Sequence, residues 1–365
     1  LTLTNNITLT SDEALSFVFV TLNLNNFTLT LGSSTSDLTV ENSITIDAST
    51  EGILTGGADL LLSALTLSAG DVTSTGGAIS FQGGGQLSGT GKLDVSGSTW
   101  TLGGDFEKSS GTLTTTETTN LALSASSTLT SDVSLNFENL NLNDFTLTLG
   151  SLTSDLTVEN AITIDSSGEG ILTGEADLIL LSSLNMSQGL LGSTGGTWEF
   201  SGDFNKSIGT ISISETDLTL RESITLTSDE ALGFVTLNLN NFTLTLGSST
   251  SDLTVENAIT IDASTEGILT GGADLLLSAL TLSAGDVTST GGAISFQGGG
   301  QLSGTGKLDV SGSTWVLGGD FNKTSGTLSI TETDLTLTNN ITLTSDVALS
   351  FVTLNLNYKT LTLGS

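Results

Sequence analysis

The stretch Phe27-Thr-Leu-Thr-Leu-Gly32 decides the fold. Side chains alternate across a strand, so Phe27, Leu29 and Leu31 share one face while Thr28 and Thr30 share the other. The run returns at residues 145–150 and 242–247, and in altered form at 359–364. Behind it stands Ser36-Asp37-Leu-Thr-Val-Glu-Asn42, which returns from Ser154 and from Ser251. A second landmark, Gly104-Asp105-Phe106-Glu107-Lys108, recurs at 202–206 and 319–323, a few residues after Trp100, Trp198 and Trp315 respectively. Residues 20–108 match 235–323 almost letter for letter.

Long units therefore begin near Gly111, Gly209 and Gly326. They divide the chain into 1–110, 111–208, 209–325 and 326–365, with the first and last truncated. The two complete units are 98 and 117 residues long, and the shorter lacks one block resembling residues 79–95. Loss of a whole block without disturbance of its flanks is expected when a solenoid gives up one coil. Short alternating runs agree: Leu38, Leu60 and Ile79 fall about one coil apart, as do Ile44, Leu65 and Leu87. The predicted fold is all-β, a β-solenoid (parallel β-helix) with coils of about 19–20 residues and about three short strands per coil. Its apolar set lines the interior, and Thr and Asn point outward. Both termini fall inside repeats, so the expectation is one continuous solenoid over 1–365, a window of a longer repeat protein.

Composition supports this reading. Glycine occurs 44 times and proline not once. Proline has no N–H to give a ladder, so a chain whose amides nearly all pair between strands excludes it. Ser and Thr supply 114 of 365 residues, and 36% of the chain is hydrophobic, enough apolar surface to oppose disorder. Seven basic residues face 39 acidic ones, a net charge of −32. Such a surface repels nucleic acid and anionic membranes and attracts cations. No cysteine and no histidine are present. Disulfides, thiolate and imidazole metal sites, and Ser-His-Asp or Cys-His catalysis are thereby excluded. No apolar run approaches the roughly 20 residues that span a bilayer.

The Gly-Asp-Phe-Asn-Lys…Gly-Thr-Leu pattern at 319–328 and the Leu-Thr-Leu-Gly endings resemble the β-strand-repeat families of giant bacterial surface proteins. Those families include filamentous-haemagglutinin-like adhesins and autotransporter passenger regions. The resemblance implies a secreted β-helix that projects from a cell surface or forms an extracellular filament, with no catalytic residues to carry over.

Asp37, Asp47, Asp59 and Asp71 sit at predicted strand ends, where solvated turn residues and Asx caps account for them. Calcium is the alternative, because carboxylates of stacked coils could converge. Gly56-Gly-Ala-Asp59 and Gly271-Gly-Ala-Asp274 only approach a calcium-roll pattern. Thr-x-Thr pairs such as Thr2/Thr4, Thr8/Thr10, Thr28/Thr30 and Thr243/Thr245 raise an ice-binding face, which needs an unbroken ladder. The three tryptophans suit repeated core packing better than sugar binding. Lys108, Lys206 and Lys323 are expected to pair with a neighbouring Asp or a carboxylate one coil away, as exposed pairs worth about 0–1 kcal/mol. The seven Asn-x-Ser/Thr sequons (Asn6, Asn26, Asn185, Asn205, Asn241, Asn322, Asn340) match chance in so Ser/Thr-rich a chain. No catalytic, cofactor-binding or metal-binding residue is assigned.

The expected function is non-enzymatic: a repeat-built rod, forming the shaft of a surface adhesin or an extracellular filament. Its expected partners are further copies of itself, the covalent continuation of its own chain, or a cell-surface or glycan ligand. Neither nucleic acid nor membrane insertion is expected, and no cofactor beyond calcium. An ice-binding solenoid and a carbohydrate-binding or carbohydrate-cleaving β-helix are the alternatives.

Overall fold

The computed structural model describes residues 1–10, 17–74, 76–116, 119–150, 155–160, 162–164 and 166–364; Ser154, which opens the second copy of the Ser-Asp-Leu-Thr-Val motif, lies outside them. Among the described residues the chain is all-β, built from short strands of mostly three or four residues. Every strand pairing is parallel and joins residues one coil apart, so each part of the chain is a β-solenoid with about three strands per coil. Two compact units can be distinguished, residues 1–181 with 188–196, and residues 182–187 with 197–365.

In the first unit, one six-stranded sheet runs from Ile7–Leu9 to Thr112–Thr114, and a seven-stranded sheet from Phe17–Phe19 to Asn139–Asn141. A third sheet contains Ile44–Ile46, Leu65–Leu67, Gly85–Leu87 and Phe106–Lys108. Leu38, Leu60, Ile79, Trp100 and Leu121 stack directly, each at most 1% exposed. Each such burial is worth about 1.5–3 kcal/mol, so the core stabilises the fold coil by coil. In the second unit Leu253, Leu275, Ile294, Trp315 and Leu335 form the corresponding column.

The second predicted column is displaced. Ile44 stacks on Leu65, but Leu65 meets Gly85, and Leu87 stacks on Leu67. A displacement of two residues preserves the pleat, so Leu87 still points inward. Its cause is the corner before it. Gly84 has φ +79, its N–H donates to the Phe81 carbonyl (3.2 Å), and a Cβ there would overlap the Asp105 carbonyl. Coils also vary more than 19–20 residues: Leu29 to Ile53 spans 24, and Ile53 to Val72 spans 19.

Not all Ser and Thr point outward. Thr55, Ser74, Ser98 and Thr119 are buried at successive corners. Ser98 Oγ donates to Ser74 Oγ (3.0 Å), and Ser74 Oγ donates to the Gly77 carbonyl (3.0 Å), so the buried hydroxyls satisfy corner backbone. The strand that decides the fold is launched by a type I′ turn. Asn25 and Asn26 have φ of 51 and 67, and the Phe27 N–H donates to the Leu24 carbonyl (2.9 Å). Asparagine tolerates the left-handed region, which explains the Asn-Asn and Asn-Asp pairs at this place in the first three copies, while the fourth places Tyr358 there at φ 61.

The sequence units do not close on whole coils. From Thr112–Thr114 to Thr210–Ile213 the chain advances fourteen strands, and from there to Thr327–Ser329 seventeen. The difference of three strands is one coil, as the lengths implied. The block 79–95 holds Ile79–Phe81, Gly85–Leu87 and Lys92–Asp94, one strand from each sheet. Neither fourteen nor seventeen is a multiple of three, so a repeated motif changes sheet. Within the first unit, Leu38–Val40 and Leu156–Val158 lie in different sheets. Within the second, Phe204–Lys206 and Phe321–Lys323 do likewise.

Candidate functional site

The feature that most distinguishes this surface is a recurrent clamp formed by the Gly-Asp-Phe-x-Lys landmark. Asp105 binds both neighbouring coils. Its carbonyl accepts the Gly85 N–H (2.9 Å) from the coil before, and its Oδ1 accepts the Thr128 N–H (2.7 Å) from the coil after. Asp203 repeats this with Leu184 (3.0 Å) and Thr225 (2.6 Å), and Asp320 with Gly300 (2.9 Å) and Thr342 (2.6 Å). The following Phe106, Phe204 and Phe321 are buried. The preceding glycines leave room for the adjacent coil, since a Cβ on Gly104 or Gly319 would strike the backbone of Gly83 or Gly298.

The lysines complete the clamp, and here the expectation of exposed pairs is corrected. The alternation of Phe-x-Lys turns Lys108, Lys206 and Lys323 inward, and their side chains are only 1–2% exposed. Lys108 occupies a column between Leu87 and Ser131, and Lys323 one between Leu302 and Ser345. Their ammonium groups contact Asp132 and Asp346, one coil on and partly solvated. Lys206 contacts Asp229 and also reaches Glu230 at 3.2 Å. The stems bury alongside apolar neighbours while each ammonium stays with its carboxylate. The sequence signal was present as Lys followed about 23 residues later by Leu-Thr-Ser-Asp, but only the coil register turns that spacing into contact.

Other carboxylates do the same work. Asp37 Oδ1 accepts the Asp59 N–H (3.0 Å), and Asp59 Oδ1 accepts the Ala78 N–H (2.8 Å). Asp252, Asp274 and Ala293 repeat this relay at 2.7 Å per step. Glu51 joins two coils through Asn26 (3.0 Å) and Asp47 (3.1 Å), as Glu266 does through Asn241 (3.2 Å) and Asp262 (3.1 Å). Asp37 and Asp59 are therefore caps, as their turn positions suggested, but they cap the next coil rather than their own turn, whereas Asp47 gives its N–H to Glu51. Asp71 is different, lying 3.8 Å from the exposed Lys92. Among the described residues no three carboxylates form a metal-holding group.

Trp100, Trp198 and Trp315 are buried in aromatic clusters. Trp100 meets Phe106 edge-on at 4.9 Å, and Trp315 meets Phe321 at 4.8 Å. Their Nε1 atoms have no hydrogen-bond partner, and burial removes them from any sugar-binding face. The outward threonines form no long ladder. Thr45 and Thr66 are followed by Gln86 and Glu107, and Thr225 and Thr245 by Leu269. Among the described residues no paired column carries threonine in more than two successive coils.

The arrangement binds coil to coil through backbone ladders, carboxylate caps and buried ion pairs. No protein-family model matches the chain, and neither a curated protein nor a solved structure does so.

Proposed function

We propose that this chain is a structural segment of an extracellular protein, the shaft of a surface adhesin or filament, and that it performs no catalysis. The observation that carries the reading is the clamp: Asp105, Asp203 and Asp320 each tie three consecutive coils, once per long unit. Polar chemistry committed to cohesion between coils suits a protein whose task is reach and durability. Since solenoid stability is roughly a sum of coil and interface contributions, such a design extends without limit of length. The proposed partner is a further coil, from the same chain or from another copy. The acidic exterior is proposed to hold diffuse cations rather than a fixed cofactor.

Electron microscopy of the native material at near-physiological salt, with and without chelator, tests this. Continuous thin fibres with a ~4.8 Å axial repeat are expected, unchanged by chelation. Discrete particles that never extend would overturn the filament form, and dissolution by chelator would make the acidic corners cation sites.

A further inference from the structure

Lys206 stands apart from its two counterparts. All three lysines are buried in the same position of the same motif, and all three meet an aspartate one coil on. Among the described residues only Lys206 of the three has a second carboxylate within reach, because Glu230 occupies the position filled by Val133 and Val347 in the other copies. An ammonium has three N–H donors, and a buried one with a single acceptor is poorly satisfied. At Lys206 the surroundings supply an amine shielded from water, an acid held against it, and a second acid to move protons. Glu230 is itself positioned, since its Oε1 accepts the Ile211 N–H (3.3 Å) and its own N–H donates to Ser228 Oγ (3.2 Å).

We propose that Lys206 and Asp229 condense into an intramolecular amide, with Glu230 as the proton carrier. Starting from the ion pair, Glu230 takes one proton from Nζ and frees its lone pair. The nitrogen attacks Cγ of Asp229, and the Nζ–Cγ bond forms as one Cγ–O bond breaks. Both protons lost by the nitrogen end on the departing oxygen, one of them through Glu230, and that oxygen leaves as water. No oxidant or cofactor is consumed. Well-oriented neighbours react as if present at effective concentrations on the order of 10⁵ M or more, which drives a condensation that free amines and acids in water do not complete. Asp229 is 44% exposed, so the water has a path out. The product replaces a buried ammonium by one amide N–H and fixes two coils covalently. Lys108 and Lys323, without the second acid, remain ion pairs and serve as internal controls.

The test is the mass of the full, folded chain. The expected result is a mass one water below that of the sequence. Trypsin digestion after denaturation should fail at Lys206 and yield residues 109–221 joined to 222–307. Glu230→Gln should restore the sequence mass while keeping the strand signature in circular dichroism. Asp229→Asn should condense with loss of ammonia instead of water, and Asp229→Ala should leave Lys206 cleavable. A wild-type chain at full sequence mass, cleaved at Lys206, overturns the proposal. Loss of three waters would overturn the role given to Glu230, because all three pairs would then condense without it. Neither result bears on the shaft reading, which does not require a covalent link.

Discussion

Asp320 joins Thr342 to Gly300 across three successive coils, its carboxylate accepting one amide and its carbonyl the other. The carboxylate takes the Thr342 N–H at the second residue of the strand Ile341–Ser345. This is the logic of a helix N-cap transferred to a solenoid: a side-chain oxygen supplies the acceptor that regular structure lacks.

Replacing Asp320 by alanine removes that acceptor and leaves an amide unsatisfied. The expected cost is about 1–2 kcal/mol, whereas Asp320→Asn, which keeps an acceptor oxygen, should lose only a few tenths. Denaturant titration followed by circular dichroism measures the difference. Equal losses from both variants would mean that charge, not the hydrogen bond, sets the contribution.

The buried tryptophans make a spectroscopic prediction. All three lie at 0–1% exposure, so native emission should be blue-shifted and resist acrylamide until the protein unfolds. Trp315→Ala should cost about 3–5 kcal/mol through the cavity it leaves. Trp315→Phe should cost clearly less, because it keeps an aromatic against Phe296 and Phe321 and removes an indole N–H that has no partner. Quenching of native emission at the rate of a free indole would contradict the placement.

How far the sequence could be read depends on which property each feature expresses. The alternation of Phe27, Leu29 and Leu31, and the loss of one block from the shorter unit, report pleat and period, both local. The Leu38, Leu60 and Ile79 column therefore came out in register. The Leu87 column did not, because corner length after Phe81 is set by how Gly84 passes the Asp105 carbonyl, a contact between coils. The burial of Lys108, Lys206 and Lys323 was hidden for a related reason. Lysine at an inward position contradicts hydrophobic patterning, and the carboxylates that make it tolerable lie 23 or 24 residues away. The same gap hid the true partners of Asp37 and Asp105.

The lysine pairs should respond asymmetrically to mutation. Asp346→Ala leaves the Lys323 ammonium buried without its carboxylate. Because Asp346 is itself 45% exposed, the expected loss is on the order of 2 kcal/mol rather than that of a fully buried pair. Lys323→Met fills the same inward space with an apolar chain between Leu302 and the corner, and should be neutral or stabilising. Denaturant midpoints of the two variants and the double variant separate these effects. A loss from Lys323→Met as large as that from Asp346→Ala would mean the ion pair itself contributes the stability.

Finally, the chain should tolerate losing one coil at a defined place. Residues 293–313 contain Ile294–Phe296, Gly300–Leu302 and Lys307–Asp309, one strand from each of three sheets. Excising them joins Gly292 to Thr314 and places the Ala273-to-Thr290 coil beneath the Trp315 coil. The junction Ser-Thr-Gly-Gly-Thr-Trp that results already exists at residues 193–198, in the unit that lacks this block. Every downstream strand keeps its sheet and its inward face, because a whole coil is removed and the pleat parity is unchanged. The excised chain should keep its strand spectrum and the buried emission of Trp315, with a denaturant m-value reduced only in proportion to the lost coil. Collapse of the m-value or exposure of Trp315 would show that the coils on either side are matched to the missing one, and that the coil is not an interchangeable unit.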